Sequence, residues 1–144
     1  PMDPLGLKHA LRSSVLAFRE LTHVDLAFED PVPELRLSAA QEFQLLRIVQ
    51  EALANVAKHA QAQRAWLTIH RHAGRVDVVV EDDGNGLPEP PAADGGSHYG
   101  LEIMRQRAAS LGGTLDVGPR AGGGTRVHLS FPTEAKPVAV QWTT

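Results

Sequence analysis

No cysteine occurs among the 144 residues. That absence excludes thiol nucleophiles, Cys-ligated zinc and iron–sulfur clusters, and it fits a reducing compartment. No apolar run approaches the roughly 20 residues of a membrane span, and the first residues show no signal-peptide pattern. Basic charge is not in excess: 14 Lys and Arg stand against 17 Asp and Glu, a net charge of −3. Without a basic stripe, a nucleic-acid surface is not expected. Glycine is nearly missing from the first half of the chain.

What is present is an ordinary globular composition, 42% apolar and 22% charged. A mass of 15.5 kDa suits one domain. Such a domain buries roughly two thirds of its unfolded surface, enough to fold without a disulfide or structural metal. Of the 13 glycines, 11 fall between Gly84 and Gly124. The function is expected in that glycine-rich half.

Apolar residues at helical spacing (Leu7, Leu11, Val15, Phe18) predict a helix from Leu5 to Leu21. A short strand, Asp25 to Glu29, follows and is broken by Asp30-Pro31-Val32-Pro33. Ser38 with Gln41 reads as a capping box. It opens a long helix, Ala39 to Ala60, with Phe43, Leu45, Leu46, Ile48, Val49, Leu53 and Val56 on one broad apolar face. Alternation predicts strands at Arg64–Arg71 and Arg75–Asp82 joined by a tight turn at Ala73-Gly74. Residues 83–99 read as a loop of about 17 residues, long enough to favour a lid or binding loop. A helix from Gly100 to Leu111 and a hairpin of Thr114–Val117 with Thr125–Phe131 complete the domain. From Thr133 onward the chain reads as a loose tail. The expected fold is a two-layer α/β sandwich, with a mixed, largely antiparallel sheet and the helices on one face.

Several polar residues fit this scaffold less well. Glu51, Asn55 and Lys58 share one helical stripe beside the apolar face. They could act as base, metal ligand and phosphate partner, or form a solvated face with a Glu–Lys neighbour. Asp82 continues the register of Val76, Val78 and Val80 and so points to the core side, where a carboxylate needs hydrogen-bond donors. Asp83-Gly84-Asn85-Gly86 behind it allows close backbone approach to a ligand, or simply a turn. Thr125 has the inward parity of Val127, Leu129 and Phe131, after Gly122-Gly123-Gly124. Two polar groups entering the core side at strand ends could line a pocket for a polar ring. Gly95-Gly96-Ser97-His98-Tyr99-Gly100 precedes a helix whose free N–H groups suit an anion. Neither a Walker A loop nor a Rossmann fingerprint is completed. His70 and His72, with no evident carboxylate partner, read as solvated sheet residues.

In order, these segments resemble the ATP-binding catalytic domain of sensor histidine kinases, the GHKL or Bergerat-type ATPases. Glu51-Ala-Leu-Ala-Asn55-Val-Ala-Lys58-His59-Ala60 resembles the N box, and Glu81-Asp82-Asp83-Gly84-Asn85-Gly86 the first glycine box. His98-Tyr99-Gly100-Leu101-Glu102-Ile103-Met104 resembles the second glycine box, and Gly122-Gly-Gly-Thr125 the last. The likeness runs from about Leu35 to Pro132. Arg105, Arg107 and Ala108 after the second box, and the short lid, resemble the nitrate/nitrite-responsive sensor kinases.

The resemblance implies a catalytic domain over residues 1–132 and a tail over 133–144. It implies that Asp82 accepts a hydrogen bond from the adenine amino group with Thr125 assisting. Asn55 would help hold Mg²⁺, and Lys58 and His59 would lie near the phosphates. Glu51 would orient or deprotonate a phosphoacceptor histidine. Gly84, Gly86, Gly100 and Gly124 would admit the nucleotide, with His98, Tyr99 and Leu101 completing its site. No histidine here has the His-Asp or His-Glu context of the family's phosphoacceptor, so that group is expected on a dimerisation domain absent from this chain. A response regulator would receive the phosphoryl group. The full-length protein is expected to be a homodimeric inner-membrane sensor, of which this chain is a cytoplasmic, monomeric part. Two other readings stay open: a non-catalytic ATP-gated interaction module, and an anti-sigma-type serine kinase of the same fold.

Overall fold

The computed structural model describes residues 4–29, 35–85 and 96–133. In chain order these form α1 (Pro4–Leu21), β1 (Asp25–Phe28) and α2 (Ala39–Asn55), which runs on into one π-helical turn (Val56–Ala60). Then come β2 (Arg64–His72), β3 (Arg75–Asp82), α3 (Gly96–Ser110), β4 (Thr114–Pro119) and β5 (Thr125–Pro132). The five strands form one sheet in the order β1-β2-β3-β5-β4. Only β1 and β2 pair in parallel, since α2 carries the chain across between them; the other neighbours are antiparallel. The expected two-layer α/β sandwich is what forms.

Parity decides which face is covered. Ala65, Leu67 and Ile69 of β2, Val76, Val78 and Val80 of β3, and Val127, Leu129 and Phe131 of β5 are all buried. They meet Leu11 and Val15 of α1, Leu45, Ile48, Val49 and Leu53 of α2, and Met104 and Ala108 of α3 in a single cluster. Each large side chain buried this way contributes about 1.5–3 kcal/mol relative to exposure. The opposite face of the sheet is polar. There Asp77 accepts from His128 Nε2 at 2.8 Å and from His72 Nε2 at 3.0 Å, a carboxylate partner that the strand pattern did not reveal. Burial pushes the Asp77 carboxyl up, but hydrogen bonds from His128, Ser130 and His72 outweigh it and hold the group below its usual value.

Local signals explain the element limits. Ser38 Oγ accepts from Gln41 N and Gln41 Oε1 accepts from Ser38 N, both at 3.1 Å, which closes the expected capping box. The β2–β3 turn places Ala73 and Gly74 both at positive φ (49° and 76°), the primed geometry that matches strand twist. Helix α3 ends with Gly113 N donating to Ala108 O and Gly112 N to Ala109 O, a Schellman pair.

Three expectations need correcting. Phe43 is 51% exposed, because it lies off the stripe formed by Leu45, Ile48, Val49 and Leu53; the Arg107 guanidinium stands 5.9 Å from its ring centroid instead. Helix α3 begins at Gly96 rather than Gly100, so the backbone of Ser97, His98 and Tyr99 is helical and not loop. Thr133 is no tail residue: it is buried and bonds Gly74 O through both N (2.9 Å) and Oγ1 (3.2 Å). Residues 134–144 lie outside the described residues, and no helix among those described is long and apolar enough to cross a membrane.

Candidate functional site

Antiparallel pairing of β3 with β5 sets Asp82, the last residue of β3, opposite Thr125, the first of β5. Both side chains fall on the helix-covered face, and both are buried, Asp82 to 3% exposure. Two polar groups thus enter the core side together, as strand parity predicts. Asp82 Oδ1 accepts from Gly84 N at 2.8 Å. A carboxylate has about four lone-pair sites, so acceptor capacity remains for a ligand. Burial raises the Asp82 carboxyl above the usual value, and the nearby Asp83 charge adds to that. The Gly84 and Thr125 N–H groups and the Arg120 charge pull it back only in part.

The next residue does a different job. Asp83 is exposed, and its Oδ1 accepts from the backbone N–H of Gln63 and of Arg64, each at 2.9 Å. Those bonds hold its carboxyl below the usual value. Asp83 thus ties the end of β3 to the start of β2, while Asp82 keeps its acceptor for something else.

Gly124 explains why the last glycine run precedes Thr125. A Cβ at 124 would overlap the Asp82 carbonyl oxygen and stand 2.9 Å from Asp83 Cα, and the residue has φ of 106°. Only glycine combines that backbone angle with that approach. Gly100 makes the second close approach: a Cβ there would stand 2.7 Å from Glu51 Oε2 and 3.7 Å from Asn55 Oδ1. The first turns of α3 thus lie directly against the two polar residues of α2. Leu101 beside it packs on the core cluster.

The expected stripe is split. Glu51 and Asn55 are half-buried and face Gly100. Beyond Asn55 the helix widens into the π turn that carries Lys58 and ends at Gln61 (φ 53°). Lys58 is exposed and borders an apolar groove of about 350 Å³ between α1 and α2. Such single π turns inside helices are frequent at functional sites. Gly86 lies outside the described residues, as do the side chains of His59, His98 and Tyr99.

Two oxygen-bearing groups, a Glu carboxylate and an Asn amide, therefore converge on α3. Among the described residues no three His, Asp or Glu side chains form a metal cluster. Missed by the motifs was Arg120, whose guanidinium lies 4.4 Å from the Trp66 ring centroid on the outer face of the sheet. No residue pattern signals it, because its partners come from two separate strands and a turn.

Comparison with known proteins gives consistent results. Residues 40–135 match the family model described as histidine kinase-, DNA gyrase B-, and HSP90-like ATPase. The chain is 39% identical over 131 residues to the nitrate/nitrite sensor protein NarQ of Escherichia coli, covering 90% of this chain and 23% of the relative. Its identity to the nitrate/nitrite sensor protein NarX of the same organism is 35% over 129 residues, covering 90% of this chain and 21% of NarX. It thus spans between a fifth and a quarter of these relatives. Among solved structures, the blue-light activated histidine kinase of Erythrobacter litoralis superposes with a TM-score of 0.67 at 25% identity, over 90% of this chain and 42% of that one.

Proposed function

This chain belongs to the histidine kinase-, DNA gyrase B- and HSP90-like ATPase family, as the ATPase domain of a sensor histidine kinase, and on that premise we propose that it transfers the γ-phosphoryl group of ATP to a histidine carried by a dimerisation domain outside it. The observation that carries the reading is Asp82. A carboxylate at 3% exposure, held by a backbone donor and with acceptor sites to spare, is an expensive thing to build into a core unless a polar ligand completes it. An exocyclic amine meets that requirement, and Thr125 beside it supports the same contact. Gly84 and Gly124 keep side chains away from the ring.

Phosphoryl transfer asks for positioning and charge neutralisation more than covalent chemistry. Glu51 is the residue to orient the incoming imidazole and take its proton, since its carboxylate is half-buried and backed by Gly100. Asn55 offers an amide oxygen, a hard donor of the kind Mg²⁺ accepts. When bound, Mg²⁺ would neutralise phosphate charge. Lys58 and His59 would flank the phosphates, and His98, Tyr99 and Leu101 would close over them, with Gly86 admitting the ring.

In the full-length protein we place this unit, which extends at least to Thr133, on the cytoplasmic side of a homodimeric inner-membrane sensor that phosphorylates a response regulator. The likeness to NarQ and NarX supports nitrate or nitrite as its input. The test is to mix the chain with purified phosphoacceptor-helix fragments and γ-labelled ATP. Acid-labile label on the fragment, lost with Glu51→Gln, is the expected result. Nucleotide binding without acid-labile phosphate on any of several cognate fragments would leave only an ATP-gated interaction module. Acid-stable label would point to a serine kinase.

A further inference from the structure

Arg120 follows β4 and belongs to no motif, yet its contacts join the outer face of the sheet to the turn behind the buried carboxylate. Its guanidinium stacks 4.4 Å from the Trp66 ring centroid, its Nε lies 4.0 Å from Glu81 Oε1, and its Nη1 donates to Gly123 O at 3.1 Å. Its own N–H donates to Gly124 O and its carbonyl accepts from Gly123 N, both at 3.0 Å. The turn it grips is Gly122-Gly123-Gly124, at φ of 93°, 110° and 106°. Three glycines carry no side chain with which to hold their own shape. Gly124 is nevertheless the residue seated against the Asp82 main chain. Trp66 and Glu81 are direct cross-strand partners, so the anchor rests on two rigid central strands.

We propose that Arg120 is a positioning residue for purine recognition, pinning the triglycine turn from the outer face so that Asp82 stays aimed at an exocyclic amine. This rests on the reading of Asp82 as the adenine acceptor. It does not follow from charge pairing alone. Arg126 also reaches Glu81, with Nε at 3.3 Å from Oε2, but no hydrogen bond ties its side chain to the turn. Arg126 is therefore the natural control. The Arg120 charge is also felt at Asp82 and Asp83, drawing both carboxyls downward.

The test compares adenine with hypoxanthine, which carries an oxygen in place of the amine. The 144-residue chain and its variants are titrated calorimetrically with non-hydrolysable ATP and ITP analogues. Arg120→Ala should reduce the adenine preference about tenfold, the equivalent of one hydrogen bond. In the nucleotide-free chain the same variant should speed hydrogen exchange at the Gly123 amide. Arg120→Lys, which keeps the charge but not the planar stack, should fail to restore either. Arg126→Ala should change neither. An Arg120→Ala chain that loses thermal stability but keeps its adenine preference overturns the proposal, because the residue is then merely structural. Asp82→Asn separates the two claims. If it abolishes the preference and Arg120→Ala does not, only the Arg120 role fails; if it leaves the preference intact, the Asp82 reading fails and takes the Arg120 role with it.

Discussion

Replacing Asp82 by Asn should remove nucleotide binding while leaving the chain at least as stable. For binding, the amide turns one acceptor atom into a donor, so an N–H faces the adenine amine that the carboxylate would have accepted. Loss of a charge-assisted hydrogen bond costs about 1.5–3 kcal/mol, and a stranded buried donor adds about 1–3 more. Together that is on the order of 10²- to 10⁴-fold in Kd. For stability the sign reverses. The folded chain holds the Asp82 carboxyl above the usual value of 3.8, with burial as the main cause. Between 3.8 and that raised value the native state binds more protons than the unfolded one, so stability falls as pH rises across the window and stays lowered above it. Asn carries no charge to desolvate, and its oxygen can still accept from Gly84 N–H. At pH 7 the melting temperature should stay level or rise, and the decline of stability with pH just above 3.8 should flatten. Calorimetry with an ATP analogue and thermal melts across pH check both halves. An unchanged Kd would refute the adenine assignment, and a markedly lower melting temperature at pH 7 would refute the account of Asp82 as a desolvated charge.

Gly124→Ala should be among the costlier single substitutions, at about 2–5 kcal/mol in urea denaturation, because φ of 106° and the overlap with Asp82 backbone both resist it. Gly100→Ala should behave in the opposite way. The overlap at 2.7 Å is with the end of the flexible Glu51 side chain, and helix propensity gains up to about 1 kcal/mol, so stability should hold or rise. Phosphotransfer to a phosphoacceptor fragment should then fall in kcat with KM for ATP nearly unchanged, as Glu51 is pushed aside. Asp77→Asn should cost about 0.5–1.5 kcal/mol at neutral pH. Since the Asp77 carboxyl is held below 3.8, that difference is present above 3.8 and should fade in melts as pH falls through the depressed folded value.

Much of this was legible because strand parity is a strict rule. Asp82 and Thr125 each extend an alternating run, and a single antiparallel pairing then brings them together. Ser38 and Gln41 are likewise a local signal, complete within four residues. Phe43 was misplaced because a broad apolar count overlooks how far a residue sits from the stripe that actually buries. The start of α3 escapes the sequence pattern because Gly95 and Gly96 signal a loop, whereas α3, packed through Met104 and Ala108 on the core and through Gly100 on α2, begins at Gly96. The π turn splits Lys58 from Glu51 and Asn55, which an even 100° per residue cannot anticipate. Arg120 is invisible for a different reason: its contacts with Trp66 and Glu81 are long-range, and no spacing signals that they meet a turn it also grips locally.

The glycine-rich half turns out to serve two distinct ends. Gly113 is packing: a Cβ there would overlap the Ser130 carbonyl oxygen, far along β5 from Thr125. Gly124 and Gly100 are instead the points where the chain's second half touches the polar groups of the site, one at the sheet end and one at α2. Those two contacts lie on either side of residues 83–99, the stretch expected to act as a lid. A shift of α3 relative to α2 would change what backs Glu51 without moving Asp82, which is held by strand pairing and by the Gly84 amide. On the proposed roles of Asp82 and Glu51, adenine recognition and proton abstraction would be separable by construction, the first fixed in a rigid sheet and the second dependent on where α3 sits. A domain organised this way can hold nucleotide in more than one catalytic state, because the element that would set its activity is not the one that grips the base.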